Sequence, residues 1–266
     1  MILHTPVKVL FSLFGINFYL WGVVFVLSFL LAFLLGLEAS KKRIGQENFL
    51  NISVIVLIGT IIGTRLLYVL MNLGFYLQDP IKILAFSEGG SASFGGIILS
   101  LLLILWYCKH KKLSFLKILD FMAPYAVLGL ALGRIGCFFN WCCYGIASNL
   151  PWAVQVAGDV ARHPTQIYLL LANLIVFFIL IAIRRYKEKN PKHLGIFNIT
   201  GSTFFSFLFL YCLNRFFIDF IRAYQAHEFF LGLAITQWFC IIAIAVSVLF
   251  FIFSNLRKKK NIVTKK

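Results

Sequence analysis

Ionisable residues stand inside stretches built largely from Leu, Ile, Val and Phe, among them Arg65, Arg134, Arg215 and Asp219. A charge at mid-membrane depth costs at least about 2.5–3.5 kcal/mol, so such residues face a cavity, a partner or a substrate. Arg215 and Asp219 are spaced i and i+4, which puts them on one helix face, either as a structural pair or as two halves of a ligand site. Arg65 either contacts a ligand or snorkels to the nearer interface. All three arginines fall in those halves of their apolar stretches that run toward the same side, as the span count below shows. A guanidinium carries a fixed fork of donors that matches phosphate, so the expected chemistry is recognition of an anionic headgroup. Gly129, Gly133, Gly136 and Gly145 surround Arg134, and Gly89, Gly90, Gly95 and Gly96 precede another apolar run. They permit close helix approach and unusual backbone angles but carry no chemistry alone.

The cysteines point less clearly. Cys108, Cys212 and Cys240 lie in or at the ends of apolar runs and read as small packing residues. Cys142 and Cys143 are adjacent and lack a CxxC partner, so zinc is not expected. Together with Cys137 they read as packing residues, with a redox-active thiol pair as the alternative. No metal-ligand spacing occurs elsewhere, and no cofactor is expected.

The elements that must hold these residues follow from composition. Of 266 residues, 61% are hydrophobic and 13% charged, whereas a soluble domain has roughly a quarter of its residues charged. The chain could not cover an aqueous surface with so few polar groups, so its solvent is lipid. A helix needs about 20 apolar residues to cross the hydrocarbon core. Seven stretches meet or approach this, near 19–37, 52–73, 95–108, 118–139, 166–183, 196–221 and 229–254. The third is short. The reading is an all-α polytopic membrane protein with about seven transmembrane helices.

Loop charges set its expected orientation. Lys41, Lys42 and Arg43 follow the first span; Lys109, Lys111, Lys112 and Lys117 follow the third; Arg184, Arg185, Lys187, Lys189 and Lys192 follow the fifth. Arg257, Lys258, Lys259, Lys260, Lys265 and Lys266 follow the seventh. The opposite side carries Lys8, Lys82, Arg162 and Arg222. The positive-inside rule then predicts the N-terminus outside and the C-terminus in the cytoplasm. The formal charge of +16 is accounted for by topology and anionic lipid, which argues against nucleic acid as a partner.

Several blocks carry a resemblance. Gly133-Arg134-Ile135-Gly136-Cys137-Phe138-Phe139-Asn140-Trp141-Cys142-Cys143-Tyr144-Gly145 is similar to the signature GRxGNFxNxExxG of the prolipoprotein diacylglyceryl transferase family. Gly63-Thr64-Arg65-Leu66-Leu67-Tyr68-Val69-Leu70 resembles its GARLxYVL element. Arg162-His163-Pro164-Thr165-Gln166-Ile167-Tyr168 resembles RHPTQLYE, and Arg215-Phe216-Phe217-Ile218-Asp219-Phe220-Ile221-Arg222 resembles RFxxEFxR. Thr236-Gln237 matches the polar start of the last span, and Tyr19 matches part of an early Tyr-Gly element, with Leu20 in place of the Gly. The blocks fall in the family's order over nearly the whole chain. Departures are equally specific. Phe94 stands where a GGxSFHGG loop has its His, Cys137 replaces an Asn, Cys142 and Leu169 each replace a Glu, and Asp219 shortens a Glu.

The resemblance implies a seven-span, N-out fold in the inner (plasma) membrane. It implies an enzyme that moves the diacylglyceryl group of phosphatidylglycerol, or of another anionic phospholipid, to the lipobox cysteine of a prolipoprotein signal peptide. Glycerol phosphate would leave. On this reading Arg134, Arg215 and Asp219 are catalytic, the arginines stabilising the phosphate. Tyr19, Arg65, Asn140, His163, Tyr168 and Gly145 bind substrate. Tyr19 is alternatively an interfacial aromatic, and Asn140 a packing residue. His163 is a base, or the HPTQ element is structural, with Pro164 opening a helix and Thr165 or Gln166 satisfying its free N–H groups. Residues 1–256 would form the transferase-like domain and 257–266 a basic cytoplasmic tail. Loss of the His and two carboxylates keeps two alternatives open: a paralogous phospholipid-dependent transferase with another acceptor, and a non-catalytic lipid-binding protein.

Overall fold

The computed structural model describes residues 2–6, 9–13, 16–84, 92–190 and 196–263. Lys8, Gly89, Gly90, Ser91, Lys192, Lys265 and Lys266 lie outside them. The helices are α1 (Leu20–Ser40), α2 (Gln46–Met71), the short α3 (Leu73–Tyr76), α4 (Ser93–His110), α5 (Phe115–Phe139), α6 (Thr165–Lys189), α7 (Ser202–Asp219) and α8 (Ile235–Val263). The seven long ones fall on the seven apolar stretches. Five of them, α1, α2, α5, α6 and α8, are long and apolar enough to cross a membrane, and α4 is a shorter apolar helix. At 18 residues α7 is equally short, and it carries Asn214, Arg215 and Asp219. The chain is an all-α polytopic membrane protein.

Burial is inverted relative to a soluble protein. Leu27, Ile61, Ile175 and Phe253 stand more than half exposed, while Thr165, Gln166 and Asn173 are fully buried. In lipid the outward face has nothing to gain from polarity, and polar groups turn inward to find partners.

The chain divides into two compact units, Gly36–Ile118 and the remainder, Met1–Leu35 with Leu119–Lys266. In the first, α2 and α4 approach backbone to backbone. A Cβ on Gly63 would collide with the carbonyl of Gly95, and one on Gly59 would stand 2.7 Å from the Ser100 hydroxyl. At one end of this pair the Tyr107 hydroxyl donates to Asn48 at 2.9 Å and accepts from Asn51 at 3.1 Å.

In the second unit the ends of the helices are tied at opposite poles. At one pole Asp120 of α5 accepts hydrogen bonds from the backbone N–H of Gly201 and of Phe204, both at 2.8 Å. A carboxylate there answers donors that the first turn of α7 leaves free, and the helix dipole adds to the attraction. Lys187 of α6 closes the arrangement with an ion pair to Asp120 at 3.2 Å. Behind it Ala123, Val127, Val176 and Leu180 form a buried apolar cluster.

At the other pole lie the starts of α1, α6 and α8, the ends of α5 and α7, and short extended segments. Strand β1 (Ile2–His4) pairs in parallel with β4 (Val154–Val156). Strands β2 (Val9–Leu13) and β3 (Ile16–Tyr19) form a hairpin leading into α1, and β5 (Phe229–Phe230) and β6 (Leu233–Ala234) form another leading into α8.

Asp120→Ala removes both the cap of α7 and the counter-ion of Lys187. It is expected to cost about 2–3 kcal/mol, read as a lower melting temperature in detergent and a larger drop than Lys187→Ala gives.

Candidate functional site

Helix α5 ends abruptly. Trp141 and Cys143 take left-handed backbone angles, φ 50° and 61°, and the Cys142 N–H turns back to the Cys137 carbonyl at 3.1 Å. The turn leaves the Cys142 and Cys143 carbonyls facing α6. There Gln166 Nε2 donates to the first at 2.7 Å and Thr165 Oγ1 to the second at 2.6 Å. These two residues therefore do not cap their own helix, as the sequence suggested. Pro164 stands at the N-cap without a side-chain hydrogen bond, because the more demanding acceptors belong to the neighbouring turn.

The chain then runs as a strip between two neighbours. Gly145 N–H donates to the His163 carbonyl at 2.8 Å, Ile146 N–H to Ile221 at 2.9 Å, and Ala223 N–H to Tyr144 at 3.1 Å. A Cβ on Gly145 would meet the Ile221 carbonyl at 2.5 Å and the His163 Cβ at 2.6 Å. Only glycine fits without displacing backbone.

This strip brings the end of α7 under the turn of α5. Arg215 and Asp219 form the i,i+4 ion pair, Nε to Oδ1 at 3.0 Å, without the N–H aimed at that oxygen. Both side chains are buried. Arg215 Nη2 also donates to the Tyr224 hydroxyl at 2.7 Å, and Arg222 Nη1 reaches the same oxygen at 3.3 Å. Thr236 at the start of α8 donates to Asp219 Oδ2 at 2.6 Å. Its proton being committed there, Tyr224 is the donor in the 3.0 Å bond between the two hydroxyls. Burial pushes the Tyr224 phenol up, with Arg215 drawing it the other way, so the hydroxyl keeps its proton. Beside this relay lies a cavity of about 330 Å³ whose walls include Ile146, Arg162, Asp219, Arg222, Tyr224 and Gln237.

Arg134 joins from α5. It is half-buried, and among the described residues it has no hydrogen-bond or ion-pair partner. Its positive charge and that of Arg222 both act on the Cys143 sulfur. That thiol is held well below the ordinary range, first by the neighbouring Cys137 and Cys142 thiols and then by the two arginines. Buried Arg215 Nη1 and Arg222 Nε likewise have no protein acceptor. Unanswered guanidinium donors at a cavity are what an anionic ligand requires.

The other expected residues are placed as follows. His163 Nδ1 lies 3.3 Å from the Tyr168 hydroxyl, which accepts from Trp152 Nε1 at 2.8 Å. Asn140 continues the end of α5 by a 3.0 Å backbone bond to Gly136. Tyr19 is 53% exposed on its hairpin. Arg65 belongs to the other unit, where it is buried, donates to the carbonyls of Lys82 at 2.6 Å and Ile83 at 3.0 Å, and lies over the Tyr76 ring. Phe94, where the family's His is expected, is in that unit too, at the start of α4.

Sequence reasoning passed over Arg222, Tyr224, Thr236 and Gln237 as site residues. Arg222 closes the RFxxEFxR-like block, and Thr236-Gln237 form the polar entry to the last span, so both were legible as signals. Tyr224 carries none beyond standing two residues after Arg222.

Fold and site together define a polytopic membrane protein with a partly buried cluster of arginines at one pole of a helical unit. The chain belongs to the prolipoprotein diacylglyceryl transferase family, whose family model matches residues 8–253. It is similar to the phosphatidylglycerol–prolipoprotein diacylglyceryl transferase of Finegoldia magna, 34% identical over 216 residues, covering 81% of this chain and 83% of that one. The protein of the same name from Clostridium tetani is 30% identical over 258 residues, 94% of this chain and 99% of that one. That of Clostridioides difficile is 32% identical over 257 residues, 96% and 98% of the two chains.

Two substitutions test the geometry. Gly145→Ala forces the strip off Ile221 and His163, an overpacking expected to cost about 1–3 kcal/mol and to lower the melting temperature. Tyr224→Phe strips Arg215 and Thr236 of a shared partner and is expected to cost about 1–3 kcal/mol, with Thr236→Val adding less to it than it costs alone, as a double-mutant cycle would read.

Proposed function

We propose that this enzyme transfers the diacylglyceryl group of phosphatidylglycerol to the thiol of the lipobox cysteine in a prolipoprotein signal peptide. The observation that carries the proposal is the linked set of Arg134, Arg222 and Arg215, joined through Cys143 and Tyr224 beside a cavity. The carbon–oxygen bond to the phosphate breaks as the acceptor sulfur bonds to the same carbon, and glycerol phosphate leaves with the added charge. Fixed guanidiniums facing that charge need no reorganisation as it develops. The same positive field favours thiolate over thiol in the acceptor.

Within this reading Arg134, Arg215 and Arg222 hold the phosphate. Asp219 keeps Arg215 oriented through the ion pair and ties it to Tyr224 through Thr236. Asn140 and His163 border the headgroup, Tyr168 sets the ring of His163, and Gly145 keeps the cavity wall thin. Tyr19 meets the lipid at the interface. Arg65 acts within its own unit by fixing the segment at Lys82 and Ile83. The cationic pole faces outward from the plasma membrane, the C-terminus faces the cytoplasm, and residues 257–266 supply the cationic anchor on that side, in keeping with the loop charges. Nucleic acid has no part in it.

The test incubates detergent-purified protein with phosphatidylglycerol and a lipobox peptide and follows glycerol phosphate release and the mass gained by the peptide. Arg134→Ala and Arg222→Ala are each expected to lower the rate by about 100-fold or more, the scale set by loss of one charge-stabilising donor. The rate is expected to rise with pH toward the acceptor thiol's ordinary value near about 8.5, since the thiolate is the nucleophile. Phospholipid binding without any modified peptide would turn the assignment to a lipid-binding role. Glycerol phosphate release without peptide modification would point to another acceptor.

A further inference from the structure

The turn that ends α5 gathers three sulfur atoms. Cys137, Cys142 and Cys143 each offer one, all within 4.8 Å of one another, and each side chain is partly exposed. Sequence spacing hides this, since it shows an adjacent pair with a third cysteine five positions before it. The left-handed angles at Trp141 and Cys143 fold the pair back over the last turn of the helix. The cluster is also braced from outside: the carbonyls of Cys142 and Cys143 are hydrogen-bonded by the fully buried side chains of Gln166 and Thr165.

We propose that Cys137, Cys142 and Cys143 form a three-coordinate site for a soft, thiophilic metal ion, with monovalent copper the ion that fits. Three considerations select it. Thiolate ligands favour soft ions such as monovalent copper over oxygen-seeking ones. Metal–sulfur bonds of about 2.3 Å place the sulfurs of one ion roughly 3.8–4.0 Å apart, within reach of this cluster by small side-chain rotations. No fourth His, Cys, Asp or Glu joins the group among the described residues, whereas structural zinc sites use four protein ligands. Binding releases to the buffer one proton from each of the three cysteines that is still a thiol and involves no change of oxidation state.

The full-length protein, reduced and kept without oxygen in detergent, is titrated with monovalent copper held by a chromophoric chelator. One equivalent is expected to leave the chelator and produce thiolate-to-copper absorption in the ultraviolet. Loss of an outer-shell group commonly weakens a metal site 10–100-fold, so Cys137→Ser, Cys142→Ser and Cys143→Ser should each weaken binding by at least about 100-fold. Cys212→Ala, which removes a thiol outside the cluster, should leave it unchanged. A readout without variants is protection from alkylation: copper should shield these three cysteines in the peptide masses of the wild-type protein, while the buried Cys108 reads the same with and without it. The proposal is overturned if the chelator keeps its copper, if zinc is taken up in preference, or if copper binds while the three cysteines still alkylate. A disulfide between two of the three that persists after treatment with reductant also overturns it.

Discussion

A guanidinium set into a lipid-facing helix must be answered by groups of the protein itself, and the architecture of the larger unit follows from how Arg215 is answered. Its charge is answered by the ion pair with Asp219 and one of its donors by the Tyr224 hydroxyl. Each answer recruits another element. Asp219 draws in Thr236 and with it the start of α8, and Tyr224 draws in Arg222 from the segment after α7. That segment holds the strip of residues 144–146, which follows from the end of α5. A charge whose exposure to hydrocarbon would be costly thus becomes the point where four stretches of chain meet. One of its donors, Nη1, is left without a protein acceptor, and its two partners Asp219 and Tyr224 line the cavity.

The opposite pole solves the simpler half of the same problem. Asp120 accepts from two backbone N–H groups at the start of α7 and pairs with the ammonium of Lys187, which also donates to the Ile199 carbonyl and to the Ser202 and Thr203 hydroxyls. Among the described residues each of these donors has a protein acceptor. Pairing is incomplete at the other pole, where Arg215 Nη1 and Arg222 Nε lack one.

Much of this was legible in the chain. Helix positions were, because lipid imposes one simple demand, about twenty apolar residues at a stretch, and α7 was found despite its polar residues because its flanks punctuate it. The pairing of Arg215 with Asp219 was legible from a spacing of four. What escaped depends on turns. The i,i+5,i+6 gathering of Cys137, Cys142 and Cys143 requires two non-glycine residues at positive φ, which nothing in Phe139-Asn140-Trp141 announces. Thr165 and Gln166 looked like caps, since their types suit that task, and only the carbonyls of another segment show where their donors go. Arg65 looked like a partner of the other arginines by composition, yet its donors go to carbonyls of its own unit.

The strip from Tyr144 to Ile146 is stitched on one edge to His163 and on the other to Ile221 and Ala223, with no room at Gly145 for even a methyl group. A wall bonded along both margins cannot bulge. A shift toward either neighbour breaks hydrogen bonds to the other, so the part of the cavity wall that Ile146 and Ala147 supply is clamped in place. A single methyl at residue 145 would press on both margins at once, and the clamp would have to open without any charge having changed.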